Sequence, residues 1–141
     1  MAIRGVRGAT TADRNDAVAI AERTLELIRV LVERNGIRSE DVASATFTAT
    51  GDLDAEFPAM PVRALPGWED VPLLCAREIP VPGSLGGCIR VLLHWNTDKA
   101  QAEIRHAFLR GARGLRPACA VRVPGDDDPL PVRPPAGAPG R

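Results

Sequence analysis

The stretch from Cys88 to Asn96, CIRVLLHWN, is the longest extended run in the chain and carries a charge at its centre. Alternation places Cys88, Arg90 and Leu92 on one face of a strand and Ile89, Val91 and Leu93 on the other. Arg90 therefore sits mid-strand among aliphatic residues, where withdrawing an unpaired guanidinium from water costs on the order of several kcal/mol. It requires an anion. Glu78, just after the preceding strand, is one candidate and would make a structural ion pair. An anionic ligand is the other, because a planar fork of donors on a rigid strand suits a carboxylate. The local pattern leaves both readings open.

The elements around this strand can be placed from spacing and punctuation. Ala2 to Thr10 predicts a strand interrupted by Gly5 and Gly8, with Ile3, Gly5 and Arg7 on one face and Arg4, Val6 and Gly8 on the other. Ala17, Ile20, Ala21, Leu25, Ile28, Leu31 and Val32 recur at helical spacing from about Asp16 to Asn35, and Gly36 supplies the stop. Ser39 is expected to cap a single turn with Glu40 and Asp41. Ala43 to Thr50 alternates Ala45, Phe47 and Ala49 against Ser44, Thr46 and Thr48, a strand with one polar face. Pro58 and Pro61 fit a short helix within Phe57 to Leu65 that stops before Pro66 and Gly67. Val71 to Cys75 predicts a further strand, and the prolines and glycines from Pro80 to Gly87 a loop. Asp98 is expected to cap a helix from about Lys99 to Leu109, burying Ala102, Ile104, Ala107 and Phe108.

Together these give a single α+β domain on one mixed sheet, spanning residues 1–117. Residues 118–141, rich in proline, glycine and aspartate, are expected to form a disordered tail. The chain of 141 residues has 18 Lys plus Arg against 18 Asp plus Glu, so no bulk basic field points to nucleic acid or an anionic membrane. No apolar run is long enough to span a bilayer, and no signal peptide is recognisable, so a cytoplasmic location is expected. Cys75, Cys88 and Cys119 are widely spaced and match no metal pattern; they are expected to be reduced thiols, with no metal and no cofactor.

Other candidates are weak taken singly. Arg7 reads as a solvated arginine, Arg63 and Arg116 as surface cations, Cys75 as a small core residue, and His94 and His106 as surface or interface histidines. What binds them is a resemblance. Ile3-Arg4-Gly5-Val6-Arg7-Gly8-Ala9-Thr10-Thr11, Ala49-Thr50-Gly51-Asp52-Leu53 through Phe57-Pro58-Ala59, Val62-Arg63 with Gly67-Trp68, Cys88-Ile89-Arg90-Val91, Ile104-Arg105-His106 and Leu115-Arg116-Pro117 together resemble the AroH-class chorismate mutases, in order from residue 3 to about 117.

The resemblance implies a homotrimer with a pseudo-α/β-barrel arrangement, its sites in clefts between subunits, that rearranges chorismate to prephenate. It implies that Arg90 donates to the ether oxygen and side-chain carboxylate, that Arg7 holds a carboxylate, and that Glu78 and Cys75 receive the ring hydroxyl. Phe57, Ala59, Leu73 and Leu74 match wall positions, Arg63 lies near the ring carboxylate, and Leu115 and Arg116 cover the site. Phe57 to Cys75 would come from one subunit, and Arg7, Glu78, Arg90 and Phe108 from its neighbour. Two positions depart from the pattern: Phe108 stands where the family has a tyrosine, and Met60 where a lysine is often found. These departures are the only support in the sequence for an alternative, a trimeric metabolite-binding or regulatory protein of the same fold with weak or no catalysis, and the presence of Arg90, Glu78, Arg7 and Cys75 stands against it.

Overall fold

Helix α1 (Ala17–Asn35) begins where the Asp16 side chain accepts the Ala19 backbone N–H at 2.7 Å and ends where Gly36, at φ 70°, donates its N–H to Val32 O. Its buried positions, Ala19, Ile20, Thr24, Leu27, Ile28, Leu31 and Asn35, form the stripe that the spacing predicted. The computed structural model, which describes residues 1–126, lays this stripe on a six-stranded mixed sheet of order β3-β2-β4-β1-β5-β6. The strands are β1 (Ala2–Thr11), β2 (Val42–Ala49), β3 (Leu73–Arg77), β4 (Cys88–Thr97), β5 (Ala107–Leu109) and β6 (Ala120–Val121). A short helix, α2 (Ala59–Arg63), lies between β2 and β3.

Register decides what each face carries. Val6, Leu93, Ala45 and Leu73 align in one row across four strands, and Gly8, Val91, Phe47 and Cys75 in the next such row on that face. These rows pack with Leu27, Ile28 and Leu31 in the main core. Gly8 is what lets α1 settle: a Cβ there would stand 2.8 Å from Leu31 Cδ1 and 2.9 Å from Leu27 Cδ1. The opposite face carries the rows Arg7, Leu92, Thr46, Leu74 and Ala9, Arg90, Thr48, Ala76. The four strands thus separate aliphatic rows under the helix from rows holding both arginines.

Three expectations need correction. Lys99 to Leu109 is not a helix: Gln101–Glu103 makes one 3-10 turn and Ala107–Leu109 is β5. Asn35 explains why, since its side-chain amide donates to Arg105 O at 2.9 Å and its oxygen accepts Arg105 N–H at 2.8 Å. Those bonds hold Arg105 away from helical pairing, and Ala107 then joins Gly8 in a parallel ladder. Ile104, Ala107 and Phe108 are buried as expected; Ala102 is exposed. Ser39 lies inside its turn, and no side chain caps it.

The packed chain also continues past residue 117. Val123 is buried, and Asp126 Oδ1 meets Arg113 Nη2 at 3.1 Å with both side chains almost wholly enclosed. Val121 and Val123, the ladder of β6 on β5 and one buried ion pair attach a segment whose composition predicted none of this. The rest of the expected tail, 127–141, lies outside the described residues. No helix among the described residues is long and apolar enough to cross a membrane.

Candidate active site

The anion facing Arg90 within the chain is Glu78. Arg90 Nε donates to both carboxylate oxygens, at 3.2 Å to Oε1 and 3.1 Å to Oε2, and Thr48 Oγ1 donates to Oε2 at 2.9 Å. Side-chain exposure is 22% for Arg90 and 13% for Glu78, so the pair is shielded yet reachable. Both bonds use Nε. The Nη groups are not engaged by Glu78, and Arg90 lines a cavity of about 330 Å³ with Arg7, Thr48, Leu92 and Phe108. The ion pair orients the fork and leaves its outer edge for a ligand.

Arg7 is half-buried in the middle of β1, one row along from Arg90, and not the solvated arginine its own sequence context suggests. Its guanidinium lies 5.9 Å from the centre of the Phe108 ring and takes part in no ion pair among the described residues. Burial first, then the charges of Arg116 and Arg90, hold its pKa below the ordinary arginine value. Arg7 thus stands between two further cations, Arg90 and Arg116, and among the described residues only Arg90 of the three has a carboxylate partner, Glu78. That excess calls for an anion.

His106 also belongs to this group, which its position in sequence does not reveal. Its Nδ1 accepts the Arg7 backbone N–H at 2.9 Å, and burial, Arg7 and Arg116 push its pKa down. A neutral ring is required, because a protonated Nδ1 has no lone pair to accept with. Ala9, Cys88, Phe108 and Ala112 form a buried cluster alongside, against which Leu115 and Cys119 pack. Burial pushes the Cys88 thiol up to about 11 despite the nearby Arg90, so it stays protonated near neutrality.

The remaining predicted residues lie elsewhere in the chain. Phe57 and Cys75 line a separate cavity of about 450 Å³ that shares no lining residue with the first and also contains Arg77. Phe57 is 64% exposed and Leu74 65%. Leu73 packs against the main core, and Ala59 is buried in it. Arg63 is exposed on α2, and the structure brings it to neither cavity; Arg116 is exposed but adjoins Arg7 electrostatically. Within one chain, then, Arg7, Glu78, Arg90, Phe108, Leu115 and Arg116 are gathered, and Phe57 and Cys75 are held apart from them. Among the described residues, no group of three or more His, Cys, Asp or Glu side chains is placed to hold a metal ion.

Comparison with known proteins places this arrangement. The family model described as chorismate mutase type I matches residues 3–119. Chorismate mutase AroH of Thermus thermophilus is 50% identical over 116 residues, covering 82% of this chain and 94% of that protein. Chorismate mutase AroH of Bacillus subtilis (strain 168) is 44% identical over 117 residues, covering 83% and 92%. The solved structure of a chorismate mutase from Clostridium thermocellum superposes with a TM-score of 0.75 at 47% identity, covering 77% of this chain and 96% of that one. A charged, half-buried cleft on an α+β sheet and this breadth of similarity lead to one conclusion: the chain belongs to the type I chorismate mutases.

Proposed function

We propose that the protein converts chorismate to prephenate with its own side chains, Arg90 supplying the electrostatic stabilisation and Arg7 the grip on a carboxylate. The observation that carries this reading is that Arg90 and Arg116 both bear on the half-buried Arg7, while among the described residues the carboxylate of Glu78 pairs with Arg90 alone. The reaction is a unimolecular rearrangement: an ether carbon–oxygen bond breaks, a carbon–carbon bond forms, and no proton or electron pair leaves the molecule. Two tasks remain for the protein. It must hold the folded diaxial conformer, and it must meet the negative charge that grows on the ether oxygen.

Arg90 performs the second task. Its charge is permanent, its strand is rigid, and Glu78 with Thr48 fixes the guanidinium before the charge appears, so little reorganisation accompanies bond breaking. The Nη edge is the part offered to the ether oxygen and the neighbouring carboxylate. Arg7 performs the first task, against the wall formed by Phe108. Glu78 retains acceptor capacity for a ring hydroxyl, and Leu115 and Arg116 cover the cleft.

A homotrimer with shared clefts completes the reading. The Phe57–Cys75 cavity and the Arg7–Arg90 cavity are separate within one chain, and Phe57, Leu74 and Leu92 present exposed apolar surface. Bringing the first cavity of one subunit against the second cavity of its neighbour supplies both walls of one site and covers that surface. By the family resemblance Ala59, Leu73, Leu74 and Arg63 come from the same subunit as Phe57 and Cys75, although none of them lines that cavity within one chain. A cytoplasmic location accords with three free thiols.

Adding purified protein to chorismate should abolish the substrate's ultraviolet absorbance with no cofactor present. A preparation that binds a bicyclic diacid analogue yet leaves chorismate unchanged would instead support the metabolite-binding alternative.

A further inference from the structure

We propose that Arg77 binds the ring carboxylate of the substrate from the Phe57–Cys75 side of the cleft, with Gly51 as the seat for its guanidinium. This deepens the chorismate mutase reading and rests on it.

Three observations converge. The first is placement: Leu73, Cys75 and Arg77 alternate onto one side of β3, so Arg77 opens into the same cavity as Cys75 and Phe57. Glu78, the next residue, reaches the opposite side to Arg90. Two adjacent residues at the end of one strand thus serve opposite faces of the sheet, and in the proposed trimer two different clefts.

The second is that the exposed Arg77 side chain makes no hydrogen bond or ion pair among the described residues. The two carboxylates lining the same cavity make their hydrogen bonds elsewhere and do not pair with Arg77. Glu56 accepts the Phe57 N–H at 2.8 Å, and Asp54 accepts from Asn15 Nδ2 at 2.7 Å. A cation that neither neighbouring carboxylate pairs with is available to an outside anion.

The third is the seat. A Cβ at Gly51 would collide with Arg77 Nη2 and come within 3.0 Å of Nε and 3.1 Å of Cζ. The guanidinium therefore rests directly against the glycine backbone, a close approach only glycine allows. A cation held this way presents its outer edge to the cavity without a carboxylate to hold it. Arg63, which the family resemblance places near the ring carboxylate, does not line this cavity, and Met60 offers no charge. Arg77 fills that requirement.

The test is calorimetric binding of two bicyclic analogues, one carrying both carboxylates and one lacking the ring carboxylate, to wild type, Arg77→Gln and Arg77→Lys. The diacid should bind Arg77→Gln about tenfold more weakly than wild type, with partial recovery in Arg77→Lys. The monoacid should bind wild type and Arg77→Gln within about twofold of each other. Equal diacid affinities overturn the assignment. So does an equal loss for both analogues, which would mark a purely structural effect on the loop that carries Gly51. Chorismate turnover by wild type is the separate arm: an inert wild type that still discriminates the analogues through Arg77 would sink the catalytic reading and leave the assignment standing. A wild type that binds neither analogue overturns both.

Discussion

Arg90 meets Glu78 through Nε alone, with both carboxylate oxygens within 3.2 Å, so one ion pair orients the guanidinium without consuming its Nη edge. Replacing Arg90 with its neutral isostere citrulline should lower kcat by roughly a thousandfold, because loss of a preorganised donor to a developing oxyanion costs about that much. The fold should remain, since Thr48 Oγ1 still donates to Glu78 and the carboxylate keeps some exposure to water. Steady-state kinetics with circular dichroism checks both halves; near-normal turnover would sink the electrostatic mechanism.

Phe108 is buried, and its ring stands beside Arg7. Phe108→Tyr adds one hydroxyl where the family pattern has one, and KM should fall about three- to tenfold with kcat altered less. An unchanged or higher KM would mean that the two arginines already meet the carboxylate's needs.

The neutral His106 ring gives a pH dependence with a definite sign. Its folded pKa is pushed below the usual histidine value by burial and by Arg7 and Arg116, so the unfolded chain takes up the proton first as pH falls. Its contribution to stability is complete above the unfolded pKa of about 6.5 and is lost as pH drops through the lower folded value. His106→Asn keeps an acceptor near the Arg7 N–H and cannot titrate. Melting temperatures measured from pH 7.5 to 5 should fall more steeply for wild type than for this variant; parallel curves would remove His106 from the account.

Gly8→Ala should destabilise the protein by about 1–3 kcal/mol, because the new methyl overlaps Leu27 and Leu31 and has only 3.3 Å to Ala107 O. In a Leu31→Val background the same change should cost measurably less. Chemical denaturation of the four proteins gives the coupling directly, and additive effects would show that the contact is not what matters.

Much of this could be read from the chain because its patterns are local. The α1 stripe, its Asp16 and Gly36 ends, and the two faces of β1, β2 and β4 all follow from periods of 3.6 and 2. Arg90 announced itself as a charge among aliphatic neighbours, and its pairing with Glu78 followed. What escaped were choices made by distant groups. Lys99 to Leu109 has helical spacing, yet Asn35, seventy residues earlier, takes the Arg105 backbone for itself. Arg77 and His106 carry no local signal, since one owes its place to Gly51 and the other to the Arg7 backbone. Val121 and Val123 looked too sparse to pack, and only the edge offered by β5 gives them somewhere to go.

The bonds of Asn35 to Arg105 and of His106 to Arg7 lie on consecutive residues, so the last turn of α1 is wired to Arg7, the arginine proposed to grip a carboxylate, through three hydrogen bonds. A mutational screen scored only by turnover will therefore return position 35 as a hit. An engineer who regards that helix as inert scaffold would misjudge where catalytic precision is kept.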